Sequence, residues 1–311
     1  MSATVDAPRV AVQVIPPADS RAKLRERAFE AALIFALLIS LAMLIALFID
    51  VFTKGLPGLS PEFVTDKASA FPANAGIATS LLGTLWLMVV CIVFIVPIGL
   101  ASAVYLEEYG TDYADQRTWT GRMIGRFNTF VEVNIQNLAA VPSIVYGILG
   151  LAFLVRGPLD LGKIILAGGL TLGLLVLPVV IIAGREALRA VPSSIREGSM
   201  ALGATKWQTI WRQVLPAAVP GVATGVILAL SRAIGETAPL LLLGAATFNT
   251  QNPSGIFSAI SALPLQINTW ISAPGADFQA LAASAIIVLL VVLVLMNSVA
   301  IYLRNRYEQK W

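Results

Sequence analysis

The sequence predicts an all-α integral membrane protein with six transmembrane helices and both termini cytoplasmic. Three observations carry that expectation. The 311 residues are 57% hydrophobic and 13% charged, with a mean hydropathy of +0.81, where ordinary soluble domains carry roughly 25% charged residues. Several stretches also reach the ~20 helical residues that cross a hydrocarbon core of about 30 Å. Finally, the basic residues are distributed asymmetrically. With the amino terminus inside, the outside segments hold only Lys54, Lys67, Arg156 and Lys163, Arg232 lies within a span, and every other lysine and arginine is inside. The net charge of +3 follows from this topology, and nothing in it points to nucleic acid as a partner.

Taken in order, residues 1–27 form a basic cytoplasmic tail, with Pro8, Pro16 and Pro17 ahead of RAKLRER beside acidic headgroups. The first span, 28–52, lacks a convincing small-x-small cleavage site beyond it and is expected to stay as an anchor. An external loop, 53–76, carries Pro57, Pro61 and Pro72, and a transmembrane domain follows over 77–303. Its spans are expected at 77–105, 130–155, 161–184, 217–247 and 279–303, before a short cytoplasmic tail, 304–311. Glu132, Asn134, Gln136 and Asn137 make the first half of the third span polar, so that half should face protein or a wet cavity. Pro97, Pro142 and Pro178 predict kinks in spans two, three and four. In the external stretch 248–277, IFSAISALPLQI reads as an interfacial or re-entrant helix.

Several chemistries are closed to this chain. Without histidine there is neither an imidazole proton relay nor a histidine-ligated metal site, and a single cysteine, Cys91, cannot form an intrachain disulfide. No G-x-x-x-x-G-K-[ST] phosphate loop occurs, so nucleotide hydrolysis by that route is not expected. The spans also hold no nucleophile or ligand cluster for an intramembrane enzyme.

The loop 185–216, REALRAVPSSIREGSMALGATKWQTIWRQVLP, is the most informative soluble segment. Ser194 and Glu197 fit an S-x-x-E capping box with a helix starting at Ile195, and Gly203 is placed to end that helix in a left-handed turn. Thr205 and Gln208 fit a second box, opening another short helix that runs toward Pro216. The pair would expose Ile195, Met200, Leu202 and Trp207 among basic residues. That surface suits either the lipid headgroups or the groove of a soluble partner.

Glu197, Gly203, Leu215 and Pro216 stand at the spacing of the E-A-A-x-x-x-G-x9-I-x-L-P loop of ABC importer membrane subunits, with Gly198, Ser199 and Gln213 departing from it. Together with LSRAIGETAPLL (230–241), AVPSIVYGILGL (140–151) and the terminal NSVAIYLRNRYEQKW, this resembles the PstA-type permease subunits of bacterial high-affinity phosphate importers over about 77–311. Relatives commonly have a Thr-Glu type pair at Gly184-Arg185, so no role is transferred there. The resemblance implies a type I ABC importer permease fold in the bacterial inner membrane and a non-catalytic subunit binding no cofactor. ATP and magnesium would sit on the partner ATPase. Implied partners are a PstC-like permease, two PstB-like ATPases and a PstS-like phosphate-binding protein. The ATPase-coupling residues would be Ser194, Glu197, Met200, Leu202, Gly203, Thr205 and Trp207.

LSRAIGETAPLL also places Arg232 and Glu236 inside an apolar stretch. A charge at the centre of a span costs roughly 2.5–3.5 kcal/mol on insertion scales. Four residues apart, the two can neutralise each other and lock the helix to its neighbours, although arginine preceding glutamate is the weaker order. Alternatively they line an anion path, the guanidinium supplying a planar fork for phosphate oxygens and Glu236 accepting from a protonated phosphate. Ser231 and Thr237 would add hydroxyls, and Gly235 and Pro239 would loosen the helix. The resemblance implies the second reading. A permease for another oxyanion, or an ATP-independent secondary transporter, are the alternatives.

Overall fold

The computed structural model describes residues 20–110, 119–244 and 249–307. The chain divides into two compact units, Met1–Asp50 and Val51–Trp311. Helix α1 (Ser20–Gly55) supplies all that is described of the first unit, and each described residue from Arg21 through Asp50 is exposed. A helix apolar on every side and covered by nothing in its own unit must bury that surface against something outside the unit.

In the second unit α3 (Ala78–Val104) packs along α6 (Ile165–Arg189), and α6 along α9 (Leu215–Gly235); the short α2 (Pro61–Thr65) precedes them. Small residues set these distances. A Cβ on Gly225 would lie 2.3 Å from that of Ala183, and one on Gly169 2.6 Å from Val90, so the backbones approach as closely as membrane helices without a hydrophobic driving force require. Leu87, Ile95, Ile165, Leu172 and Ile234 fill the resulting core. Pro97 and Pro178 remain inside unbroken α3 and α6.

Pro142 does more than kink its span. The expected single helix 130–155 is two, α4 (Trp119–Ala139) and α5 (Ser143–Leu149), joined at a 108° bend. Proline has no N–H and biases the preceding residue away from helical backbone. The bond that would reach the Leu138 carbonyl from residue 142 therefore cannot form, and that oxygen accepts instead from the Val141 N–H at 3.2 Å and from Tyr146 Oη at 2.8 Å. Among the described residues five helices are long and apolar enough to cross a membrane, and a sixth crossing is counted when the bent pair is taken as one.

The fifth span also departs from its expected limits of 217–247. Helix α7 (Ser193–Ala201) is followed by α8 (Lys206–Thr209), which continues without interruption through a π-helical turn at Ile210–Val214 into α9. The wide turn suits Pro216, whose ring would collide with a carbonyl four residues back. The run ends at Gly235, because Pro239 cannot donate to the Gly235 carbonyl. Glu236 is extended, with φ −78° and ψ 114°, and α10 (Ala238–Leu242) starts afresh.

Residues 256–262 are not helical. They run antiparallel to the start of α6 through an Ile164–Ala259 bridge, with Ile165 N–H donating to Ser258 O at 2.9 Å. Helix α11 (Leu263–Ser272) then folds back into the bundle, with Leu263, Leu265, Ile267 and Trp270 buried. Phe63 on α2 meets Trp270 there, with ring centres 6.2 Å apart. The last helix, α12 (Ala276–Tyr307), packs on both α9 and α11.

Candidate functional site

Arg232 occupies the last turn of α9 and Glu236 the first residue beyond it. Their side chains are 42% and 20% exposed, and Nε lies 3.5 Å from Oε1, at the outer limit of a hydrogen bond. Among the described residues Arg232 has no other hydrogen-bond partner, so most of its five donors remain available to a ligand. Thr237 heads α10 without capping it. Ser231 is engaged elsewhere: its Oγ donates to Ile227 O at 2.8 Å and lies 2.8 Å from the Asn297 amide on α12.

The broken third span lies beside this pair. A Cβ on Gly147 would sit 2.8 Å from Pro239 Cα, so α5 packs directly on α10. At the end of α4, Gln136 and Asn137 are exposed, while Glu132 meets Arg185 Nη1 at 2.8 Å. The polar half of the span is thus divided between a contact within the protein and an open face.

At the other end of α9, the 193–209 segment differs from expectation at its start. Helix α7 begins at Ser193 with Pro192 as its cap residue, and the Ile195 N–H bonds the Pro192 carbonyl at 3.2 Å. The helix starts two residues early, which puts Ser194 inside its first turn, so Ser194 caps nothing and the S-x-x-E box does not form. Ile195, expected at the surface, turns inward against the Leu188–Val214 cluster. The remainder follows the sequence. Gly203 adopts φ +88°, Gly203 N–H donates to Met200 O and Ala204 N–H to Ser199 O, at 2.9 and 3.2 Å, which is the Schellman arrangement. The Thr205–Gln208 box is complete in both directions. Leu202 is 92% exposed, with Met200 and Trp207 exposed as well, and Glu197 beside them. Trp207 stacks on Trp211 at 5.5 Å, a residue the sequence pattern did not single out.

Also unanticipated is a group of ion pairs behind α7. Glu107 and Glu108, in a π-helical turn that prolongs α3 (Tyr105–Tyr109), face Arg185 and Arg189 of α6 and Arg196 of α7. The signal was visible in YLEEY, two adjacent carboxylates closing an apolar run, but their partners are far away in sequence. A cavity of about 500 Å³ opens among Glu107, Glu108, Arg189, Arg196 and Lys206.

An apolar helical bundle with one broken span, an arginine fork at a helix break and a capped helical loop at the far end of the same helix defines a membrane permease component. Residues 118–309 match the family described as "Binding-protein-dependent transport system inner membrane component". The chain belongs to that family and, within it, to the PstA-type permeases. It is 34% identical to the "Phosphate transport system permease protein PstA" of Xylella fastidiosa (strain Temecula1 / ATCC 700964), covering 82% of this chain and 85% of that one. Identity to "Phosphate transport system permease protein PstA 1" of Mycobacterium tuberculosis (strain CDC 1551 / Oshkosh) is 41%, over 64% and 60%. To the "Probable ABC transporter permease protein YqgI" of Bacillus subtilis (strain 168) it is 30%, over 78% and 83%. Among solved structures, an inward-facing form of the MetNI methionine ABC transporter superposes with a TM-score of 0.55, at 17% identity, over 75% of this chain and 95% of that one, which places the fold among type I ABC importer permeases.

Proposed function

We propose that this chain is the membrane-spanning permease subunit of an ATP-driven inorganic phosphate importer. Arg232 carries the proposal: a guanidinium with free donors, placed where α9 breaks and α10 and the bent third span converge. Arginine stays charged when partly desolvated, and its fork matches phosphate oxygens. Glu236, held only loosely, limits trapping of the anion and accepts a hydrogen bond from protonated phosphate, which fully deprotonated sulfate cannot offer. Thr237 adds a hydroxyl, and Ser231, bound to Asn297, steadies α9 against α12. The names of the PstA relatives support phosphate as the substrate.

On this reading a PstC-like permease completes the path, and a PstS-like binding protein delivers phosphate to the outer face. Two PstB-like subunits hydrolyse magnesium-ATP. One of them docks on the exposed surface of Glu197, Met200, Leu202 and Trp207, which Gly203 and Thr205 hold in shape, while Ser194 lies exposed in the first turn of α7. Residues 185–216 and both termini are then cytoplasmic, and 77–303 form the permease domain.

Arg232→Ala and Glu236→Ala should reach the membrane and assemble, yet lose at least ten-fold in phosphate uptake. Wild-type uptake by both variants would remove the pair from the mechanism. Equal competition by sulfate or molybdate would instead assign another oxyanion, and uptake without the ATPase would make the chain a secondary transporter.

A further inference from the structure

We infer that the adjacent carboxylates Glu107 and Glu108 form a transmission joint, through which the loop helix α7 acts on α3, α6 and the broken third span as well as on α9. The inference rests on the proposed coupling to an ATPase and adds to it, since neither carboxylate belongs to the docking surface.

Glu108 is 6% exposed and receives Arg196 from α7 at 2.7 Å. The same guanidinium donates to Leu188 O and Val191 O, at 2.8 and 2.7 Å. Those carbonyls close the end of α6, where a cation also suits the helix dipole. Lys206, the first residue of α8, donates to the Glu108 main-chain carbonyl, so two cations on the loop segment grip the ends of two spanning helices. One residue earlier, Glu107 takes Arg189 in a two-pronged pair, both bonds 3.0 Å, and Arg185 Nε at 3.4 Å. Arg185 Nη1 continues to Glu132 on α4 at 2.8 Å. Helix α4 leads into the 108° bend whose far side, at Gly147, touches Pro239 just beyond the Arg232–Glu236 pair.

A displacement of α7 can leave Glu108 in place only by separating a buried charge from its partner, which is far costlier than moving both. The ends of α3 and α6 therefore move with the loop, and Glu107 and Arg185 pass that motion to α4. The chain itself ties α7 to α6 through residues 190–192 and to α9 through α8, so what the pairs add is the link to α3 and, through Arg185, to α4.

The test uses the complete importer in proteoliposomes, reading phosphate moved per ATP hydrolysed together with subunit content. Glu108→Gln, which keeps shape and one hydrogen bond, and Glu132→Gln, remote from the docking surface, should each retain the ATPase and lower that ratio at least five-fold. Glu108→Gln combined with Arg196→Gln should be no worse than the more severe of the two single variants. Ratios within two-fold of the unsubstituted protein, or losses that multiply in the double variant, would overturn the joint. Should Arg196→Gln fail to assemble, the two glutamate variants decide alone. Absence of ATP-driven phosphate import by the unsubstituted complex would strike the proposed function instead.

Discussion

Leu138 carries a carbonyl that Pro142 has no N–H to meet; the Val141 N–H turns back to it, and the Tyr146 phenol adds a second bond across the break. That second bond was hidden in the sequence, where Tyr146 reads as one more large residue in an apolar run. Gly203 is the opposite case. Its place after the α7 pattern announced a left-handed residue, and φ is +88° with open space around it. Gly203→Ala should therefore cost about 1 kcal/mol through backbone strain alone, and Thr205→Ala about the same through the lost cap. Faster amide exchange over 202–209 in either variant is the expected readout, with Gly203→Pro abolishing ATPase docking or coupling altogether. Ser194 shows the limit of motif reading, since S-x-x-E was present but Pro192 had already started the helix.

Among the elements, α3, α6 and α12 were legible because twenty or more apolar residues in series admit little but a spanning helix. The third and fifth spans were not fully legible. Composition records that a segment is apolar, whereas Pro142 ends one helix, Pro239 ends another and Pro178 is absorbed without a break. IFSAISALPLQI reads as an interfacial or re-entrant helix, but only from Leu263 onward is it helical, and that helix packs against α3 and α12. Its entry depends on Gly83, where a Cβ would lie 2.1 Å from Ser261 O. Gly83→Val should force the segment outward and cost roughly 1–3 kcal/mol, seen as a lower unfolding temperature in detergent.

At the scale of the whole molecule, the lysine and arginine asymmetry predicts which side each end occupies. Glu62→Cys, on the exposed side of α2, should react with a membrane-impermeant thiol reagent applied from outside, whereas Asn305→Cys should react only after permeabilisation. Cys91, fully buried, adds no background. The reverse pattern would invert the topology and with it the placing of the α7 surface. The membrane character, the long apolar segments and the charged pair at 232 and 236 were set by composition and local order, because the bilayer penalises every uncharged-to-charged exchange and every unpaired backbone group within it. Tertiary structure alone decided that Ser231 answers to Asn297 on α12, that Tyr146 mends the break made by Pro142, and that Glu107 and Glu108 hold three arginines from two other helices. Each of those contacts joins residues on separate helices, or on either side of a break in one, and their meeting depends on how the helices pack, which no local pattern encodes.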